Sequence, residues 1–254
     1  MLDNFHSGAL LYSNNQLNKD PMKPREFKDS IFEQLARVGA AFSSPKRVEI
    51  IELLAQGERT VESVATATGM SVANTSRHLS VLRNSGLVNS RREGLYAFYR
   101  ISEVSVVTAF QALRSLAESR LVEVHQLAEA FFKEVDGAEP IGIEELMVRA
   151  AAGDVVVIDV RPRLEYGAGH LPGAISIPLD ELPARLTEID GDHRVVAYCR
   201  GPYCVMSAEA VTQLRLAGIV AQRLVVGPLE WRQAGLPIVS GSGGDEVVLA
   251  ASTT

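Results

Sequence analysis

Apolar residues recur at helical spacing through the first hundred residues of the chain. Helices are predicted over 31–41 and 45–55, the second with Ser44 as its cap and Pro45 in its first turn. Shorter helices over 60–68 and 71–85 are joined by Gly69-Met70, which is the layout of a helix-turn-helix. Residues 86–101 then predict a β-hairpin with Glu93-Gly94 at its turn.

A longer helical pattern follows over residues 103–136. Its apolar positions, from Val106 to Val135, recur about every 3.6 residues, the period of one helix face. A helix of this length extends beyond its own small domain, so we expect its apolar face to pack on a second copy of the chain. The alternative is a helix that covers only its own core.

The pattern changes to alternating short strands and helices after a linker at 136–140. Apolar strands are predicted at 155–160, 174–177, 195–198 and 223–226, and helices at 143–151, 180–187, 207–217 and 229–233. This alternation is typical of a parallel sheet covered on both faces. The expected fold is therefore two domains: a mainly α winged helix-turn-helix with a β-hairpin wing, and an α/β domain with a central parallel sheet.

The domain limits follow from these patterns. We expect a disordered segment over 1–21, a winged helix-turn-helix over 22–102, a long dimerisation or linker helix over 103–136, an α/β domain over 140–239 and a flexible tail over 240–254.

Composition and charge indicate where the protein is located and what kind of partner it binds. The 254 residues contain no apolar run of the roughly 18 residues that a membrane span needs, and the first twenty show no secretory signal. We therefore expect a cytoplasmic protein without a membrane partner. The net charge of −6 is uneven, because residues 22–102 hold 12 Lys and Arg against 8 Asp and Glu, whereas 103–254 hold 12 against 21. A basic first half is compatible with nucleic-acid binding.

The second helix of the helix-turn-helix is the predicted DNA reader. Val61, Val64 and Ala65 are expected to pack on Leu79 and Leu82. With Ser71 as N-cap, the N-terminal half of this helix would enter the major groove of double-stranded DNA. The candidate DNA-binding residues are Asn74, Thr75, Ser76, Arg77 and Ser80 on the helix, and Arg91 and Arg92 on the wing.

Several motifs in this half resemble the ArsR-type winged helix-turn-helix repressors, over about residues 28–102. They are Ser44-Pro-Lys-Arg-Val-Glu-Ile-Ile-Glu-Leu-Leu, Gly57-Glu-Arg-Thr-Val, Ser76-Arg-His-Leu-Ser-Val-Leu and Gly86-Leu-Val. The resemblance implies a homodimeric repressor that binds an inverted repeat and leaves it when an inducer is sensed. Metal-sensing members carry a cysteine pair before the recognition helix, but this chain has no cysteine before Cys199. No metal site and no cofactor are predicted.

Both cysteines of the chain lie between a predicted strand and a predicted helix, in Tyr198-Cys-Arg-Gly-Pro-Tyr-Cys204. Backbone N–H groups and the positive end of a helix lower the pKa of a thiol placed there, which makes it reactive. In the cytoplasm we expect such a pair to be reactive rather than a structural disulfide.

Three blocks in the second half resemble a rhodanese domain over about 140–239. They are Ile158-Asp-Val-Arg-Pro-Arg-Leu-Glu-Tyr-Gly-Ala-Gly-His170 with the following Leu-Pro-Gly-Ala, then Tyr198-Cys-Arg200, then Gly227-Pro-Leu-Glu-Trp231. The resemblance implies that Cys199 is the nucleophile that takes up a sulfane sulfur as a persulfide. It also implies a supporting ion pair of Asp159 with Arg161, a role for Arg200, and a cradle of backbone N–H groups at Gly201, Tyr203 and Val205.

Two departures from the rhodanese pattern affect the chemistry. A serine that often lies six residues after the nucleophile lies eight residues after it here, at Ser207. Either the loop is about two residues longer, which would admit a larger oxyanion such as phosphate or arsenate, or the helix starts earlier. The second departure is Cys204, which could resolve a persulfide or sulfenate on Cys199 by forming a disulfide, or be an inert small residue.

Three hypotheses follow. The first is a transcriptional repressor whose Cys199 forms a persulfide and senses or carries reactive sulfur. The second is a sulfurtransferase enzyme that the DNA-binding domain only localises. The third is a redox or oxyanion regulator with a Cys199–Cys204 disulfide as its switch.

Overall fold

A computed structural model describes residues 22–137, 139–189 and 193–241. The predicted disordered segment 1–21 lies outside these residues, as does all but the start of the predicted tail. In the described part, no helix combines the length and apolar character that a membrane crossing requires.

The first half folds as a winged helix-turn-helix. Its elements are α1 (Pro24–Phe42), α2 (Pro45–Ala55), β1 (Arg59–Thr60), α3 (Val61–Thr68), α4 (Val72–Asn84), β2 (Val88–Glu93) and β3 (Tyr96–Ile101), with antiparallel strands in the order β1-β3-β2. The Thr60 and Ser71 hydroxyls accept hydrogen bonds from the N–H groups of Ser63 and Asn74, so each caps a helix. Gly69 makes the turn between them in the left-handed conformation, with φ of +64°.

The packing of the first half agrees with the apolar pattern. Val61, Val64, Leu79 and Leu82 lie in one core cluster with residues of α2, and Ala65 is also buried. One boundary differs, because α1 begins at Pro24 rather than at residue 31. Pro24 suits a first helical turn, and the N–H of Lys23 donates to the Glu26 carboxylate at 3.2 Å.

The predicted single helix over 103–136 is two helices, and this expectation was wrong. α5 (Val104–Arg120) and α6 (Val122–Val135) meet at Leu121, whose backbone is extended. The ring of His125 donates to the carbonyl of Glu118 at 3.0 Å, which occupies an acceptor freed by the break. Tertiary contacts explain the new direction of α6, since the Thr212 hydroxyl donates to the carbonyl of its last residue, Val135, at 2.8 Å.

The second half is a four-stranded parallel sheet covered by helices. Its elements are α7 (Ile143–Ala151), β4 (Val155–Asp159), α8 (Arg163–Ala168), β5 (Ile175–Ser176), α9 (Leu182–Arg185) with a 3-10 turn (Leu186–Glu188), β6 (Arg194–Tyr198), α10 (Val205–Leu216), β7 (Ala221–Arg223) and α11 (Pro228–Gln233). The strand order is β5-β4-β6-β7, which places β4 and β6 at the centre. The two-domain fold class is confirmed.

Several segments differ from the sequence-based expectation in this half. The strand predicted at 223–226 lies at Ala221–Arg223, and the helix predicted at 180–187 is α9 followed by a 3-10 turn. The short helix α8 was not predicted. The segment at 136–140, expected to be a linker, begins with a buried Asp136 that accepts from the Arg223 guanidinium at 3.0 Å, and Ile141 beyond it bridges to Leu224 beside β7. Because α6 and this segment pack on the sheet domain, the junction between the halves lies at Leu121.

Candidate functional site

Only some of the DNA-binding residues predicted on helix α4 are exposed to solvent. Asn74 and Arg77 are exposed, and Ser76 and Ser80 are half-buried. Thr75 is fully buried and its hydroxyl donates to the carbonyl of Ser71 at 3.0 Å, so its assignment to DNA contact was wrong. Thr75 instead fixes the first turn of the helix from the inside.

The two predicted wing arginines differ in whether a carboxylate is bound to them. The Nε of Arg91 donates to the Glu58 carboxylate at 2.9 Å, and Arg91 also pairs with Glu93. Arg92 makes no ion pair with any described residue, and it is exposed. Arg100, which sequence reasoning missed, adds an exposed cation on β3; its polar place in the alternating hairpin was the available signal. Arg92 and Arg100 lie on opposite faces of the hairpin, and Arg100 lines a cavity together with Glu58. Arg92 is therefore the wing arginine without a carboxylate partner among the described residues.

The two cysteines are joined by a disulfide at the carboxyl end of β6. Their Cα atoms are 6.1 Å apart, within the usual span of a disulfide. Cys199 is 1% exposed, whereas Cys204 is half-buried and is the N-cap of α10. Of the two alternatives left by the position of Ser207, the structure has the earlier helix start, because α10 begins at Val205. The longer loop proposed to admit a larger oxyanion is not present.

Three backbone N–H groups near the disulfide have no hydrogen-bond acceptor among the described residues. Within the described residues, the N–H groups of Gly201, Tyr203 and Val205 donate to no protein acceptor, while that of Cys204 donates to the Gly201 carbonyl at 3.1 Å. The Tyr203 side chain points to the first half, where its hydroxyl donates to Glu118 at 2.8 Å. Partial burial and this hydrogen bond raise the pKa of Tyr203 to about 12, so it stays protonated near neutral pH.

The Arg200 side chain reaches from the cysteine loop to a buried ion cluster. Its Nε and Nη2 donate to the two carboxylate oxygens of Glu165 at 2.9 and 2.7 Å. Glu165, on α8, is fully buried and also pairs with Arg59 of β1. Burial lowers the pKa of Arg59 and the Glu165 charge opposes that shift. One carboxylate therefore connects the loop between the cysteines to the winged helix.

Asp159 and Arg161 form the expected ion pair but lie away from the sulfurs. Arg161 Nη2 donates to Asp159 Oδ2 at 2.6 Å, and both side chains are buried. Asp159 is aligned with Tyr198 across the parallel strands, on the sheet face opposite the cluster that contains Cys199. Arg161 also reaches Gln56 of the first half at 2.9 Å. The pair thus joins the two domains and touches neither cysteine.

The first turn of α11 packs directly on the loop that follows Cys199. At Gly227, an added Cβ would lie 2.2 Å from the carbonyl oxygen of Arg200 and 2.7 Å from that of Cys199. The N–H of Gly227 donates to the Glu230 carboxylate at 2.8 Å, and Glu230 pairs with Arg114 of α5 at 2.7 Å. Glycine is required here by close approach rather than by a positive φ.

A Gly227→Ala substitution should displace this loop. We expect a loss of about 1–3 kcal/mol in the free energy of unfolding, as for other overpacked sites, and slower closure of the Cys199–Cys204 disulfide. Urea unfolding and mass spectrometry after a mild oxidant measure the two effects. Gly167→Ala is the matched control, since its Cβ would meet nothing within 4 Å. Identical behaviour of the two variants would show that the contact does not shape the loop.

Comparisons with known proteins agree with the two halves. Residues 44–90 match the family model of bacterial regulatory proteins of the arsR family, and residues 143–234 match the rhodanese-like domain. The chain is 36% identical over 104 residues to a sulfurtransferase of Allochromatium vinosum, covering 41% of this chain and 96% of that protein. A solved homodimeric winged helix-turn-helix DNA-binding domain, Mb0332 of Mycobacterium bovis, is 38% identical, with 43% of this chain and 94% of that one covered at a TM-score of 0.36.

One relative spans both halves. The HTH-type transcriptional regulator Rv0324 of Mycobacterium tuberculosis is 46% identical over 215 residues, which is 85% of this chain and 94% of that protein. The chain therefore belongs to the ArsR family of transcriptional regulators, and it carries a rhodanese-like domain C-terminal to its winged helix-turn-helix.

Proposed function

We propose that this regulator is a repressor that changes its DNA affinity with the oxidation state of Cys199 and Cys204. The observation that carries the proposal is the buried Glu165 carboxylate. It holds Arg200, inside the cysteine loop, and Arg59, at the base of the winged helix. A change in the loop therefore has a direct ionic route to the DNA-reading half.

The proposed sulfur chemistry has two steps, each an attack of a cysteine thiolate on a sulfur atom. In the dithiol form, the Cys199 thiolate attacks the outer sulfur of a persulfide donor, which leaves as its thiolate and yields a Cys199 persulfide. The Cys204 thiolate then attacks the inner sulfur of that persulfide and expels hydrosulfide, which forms the Cys199–Cys204 disulfide. The free N–H groups of Gly201, Tyr203 and Val205 would stabilise the anionic sulfur in the first step.

Helix α3, which precedes the DNA-reading helix α4, would transmit the change to the DNA-binding surface. Arg59 Nη1 donates to the Ser63 hydroxyl at 2.9 Å, in the first turn of α3. α3 packs on α4 through Val64 and Leu79 in one core. A shift of Arg59 therefore acts on the helix that supports the DNA-reading residues, without a path through α5 and α6.

The disulfide form should bind operator DNA at least about fivefold more weakly than the dithiol form, the lower end of typical coupling between sites. Fluorescence anisotropy with a promoter fragment, at one fixed salt concentration, measures both affinities. Glu165→Gln should bring the two affinities together, because it removes the charge that ties Arg200 to Arg59. Glu181→Gln is the control, since among the described residues Glu181 pairs only with arginines of its own domain.

Three further variants test whether the response depends on the cysteines and whether DNA binding depends on helix α4. Cys199→Ser and Cys204→Ser should bind DNA equally before and after polysulfide treatment. Arg77→Ala should weaken binding in both states, because it removes an exposed cation of the reading helix. The thiol switch would be refuted if polysulfide changed the DNA affinity of the wild-type protein by less than twofold. It would also be refuted if the DNA affinity of Cys199→Ser still changed.

Sulfurtransferase activity is the second candidate function. It is favoured by the unbonded N–H groups beside Cys199 and by the resemblance to the Allochromatium vinosum sulfurtransferase over the same half. Transfer of sulfur from thiosulfate to cyanide, lost in Cys199→Ser, would support it. No turnover with any sulfane donor would rule it out, and the DNA response would then stand alone.

We also propose a homodimer, supported by exposed apolar residues on one face of α1. They are Phe27, Ile31, Leu35 and Val38, which follow one another at helical spacing. Beyond Phe110, which is buried in the core of its own domain, the α5 residues Leu113 and Leu116 are exposed as well. Large exposed apolar patches of this kind mark protein interfaces.

Ile31→Glu combined with Leu35→Glu should convert the dimer to a monomer, because two carboxylates would be buried in the interface. Light scattering coupled to gel filtration measures the mass. Leu216→Glu is the control, since Leu216 is equally apolar and 85% exposed but lies on α10. A monomeric wild type, or a double variant that stays dimeric, would refute this interface.

A further inference from the structure

A cavity between the two halves reaches the disulfide from the Cys204 side. Its volume is about 260 Å³, and its walls come from α2, the end of α3 and the cysteine loop. Glu49 and Glu52 line it from α2, opposite Arg200 and Cys204. Cys204 is half-buried, whereas Cys199 is 1% exposed. A small molecule in this space therefore meets the Cys204 sulfur.

Two carboxylates and one guanidinium group line the cavity wall. Arg200 is bound along one edge by Glu165, and Glu49 is bound to Lys46 at 2.8 Å. Glu52 makes no hydrogen bond or ion pair with any described residue. Burial raises its pKa, while Arg200 and Arg114 oppose the shift. The free carboxylate of the cavity is therefore that of Glu52.

We propose that this cavity admits the low-molecular-weight thiol that reduces the Cys199–Cys204 disulfide, and that Glu52 makes it select thiols with an amino group over thiols with a carboxylate. The ionised Glu52 carboxylate repels a thiolate that carries a carboxylate group and attracts one that carries an ammonium group. The proposal gives the disulfide of the proposed switch a defined class of reductant.

The reaction opens the disulfide at the accessible sulfur. The incoming thiolate attacks Cys204 Sγ, the sulfur–sulfur bond breaks, and the electron pair leaves on Cys199 as a thiolate. The product is a mixed disulfide between the small thiol and Cys204. A second molecule of the thiol attacks the sulfur of the bound one, releases a small-molecule disulfide and leaves Cys204 reduced, so two thiols are oxidised for each protein disulfide.

Rates of disulfide opening by three thiols test the proposal. Cysteamine carries a positive substituent, 2-mercaptoethanol a neutral one and 3-mercaptopropionate a negative one. The rate of each thiol with the protein is divided by the rate of the same thiol with 2-hydroxyethyl disulfide, both at equal thiolate concentration. After this normalisation, we expect wild-type protein to react about tenfold faster with cysteamine than with 3-mercaptopropionate, with 2-mercaptoethanol between them. Glu52→Gln should reduce this ratio at least threefold. Glu62→Gln, which changes an exposed carboxylate of α3 outside the cavity, should leave it unchanged.

Two measurements on wild-type protein keep the test independent of the variants. The cysteamine preference should fall as ionic strength is raised to 1 M, and mass spectrometry of trapped intermediates should place the mixed disulfide on Cys204. A normalised ratio near one, a ratio unchanged in a folded Glu52→Gln, or a mixed disulfide on Cys199 would overturn the proposal. No DNA is present, so a failed DNA response leaves these rates interpretable, and failed selectivity leaves the DNA experiment intact.

Discussion

The arrangement of the two halves depends on a fully buried carboxylate shared by two guanidinium groups. Glu165 is removed from solvent, and a buried charge of this kind is tolerated only when it is paired and hydrogen-bonded. Its partners come from opposite halves of the chain, so the site is complete only when the halves are docked. Removing one partner from such a site typically costs about 3–5 kcal/mol. The ionic cluster therefore sets the relative position of the cysteine loop and the winged helix more strictly than apolar contact alone would.

The sequence predicted most of the fold because local signals agreed with the tertiary structure. Ser71 caps the helix that it was expected to cap, and the apolar strands predicted at residues 155–160 and 195–198 form the centre of the sheet. The break at Leu121 was not predictable, since no proline or glycine marks it. The packing of α6 on the sheet domain decides it.

Prediction of the site was limited by the same absence of long-range information. Thr75 has the polar character of a DNA contact, but the orientation of its helix turns it inward. Glu165 lies in a charged stretch that is typical of a surface. Its partners are distant in the sequence, since Arg59 is 106 residues away and Arg200 is 35 residues away. Glu52 belongs to an ordinary amphipathic helix pattern and faces the cysteine loop only after docking. Sequence periodicity indicates which face of an element is apolar, but it does not say which polar residues of two domains meet.

The joint at Leu121 has a consequence for how strong the docking contacts need to be. α5 ends at Arg120 and α6 begins at Val122, so one residue connects the winged helix to the sheet domain. If the ionic contacts open, neither half diffuses away from the other, and the contacts re-form as an intramolecular reaction at high effective concentration. An interface of modest intrinsic affinity can therefore stay closed most of the time and still open within one regulatory event. Domains separated by a long flexible linker would need a tighter interface for the same closed population, and a tighter interface would be harder to switch.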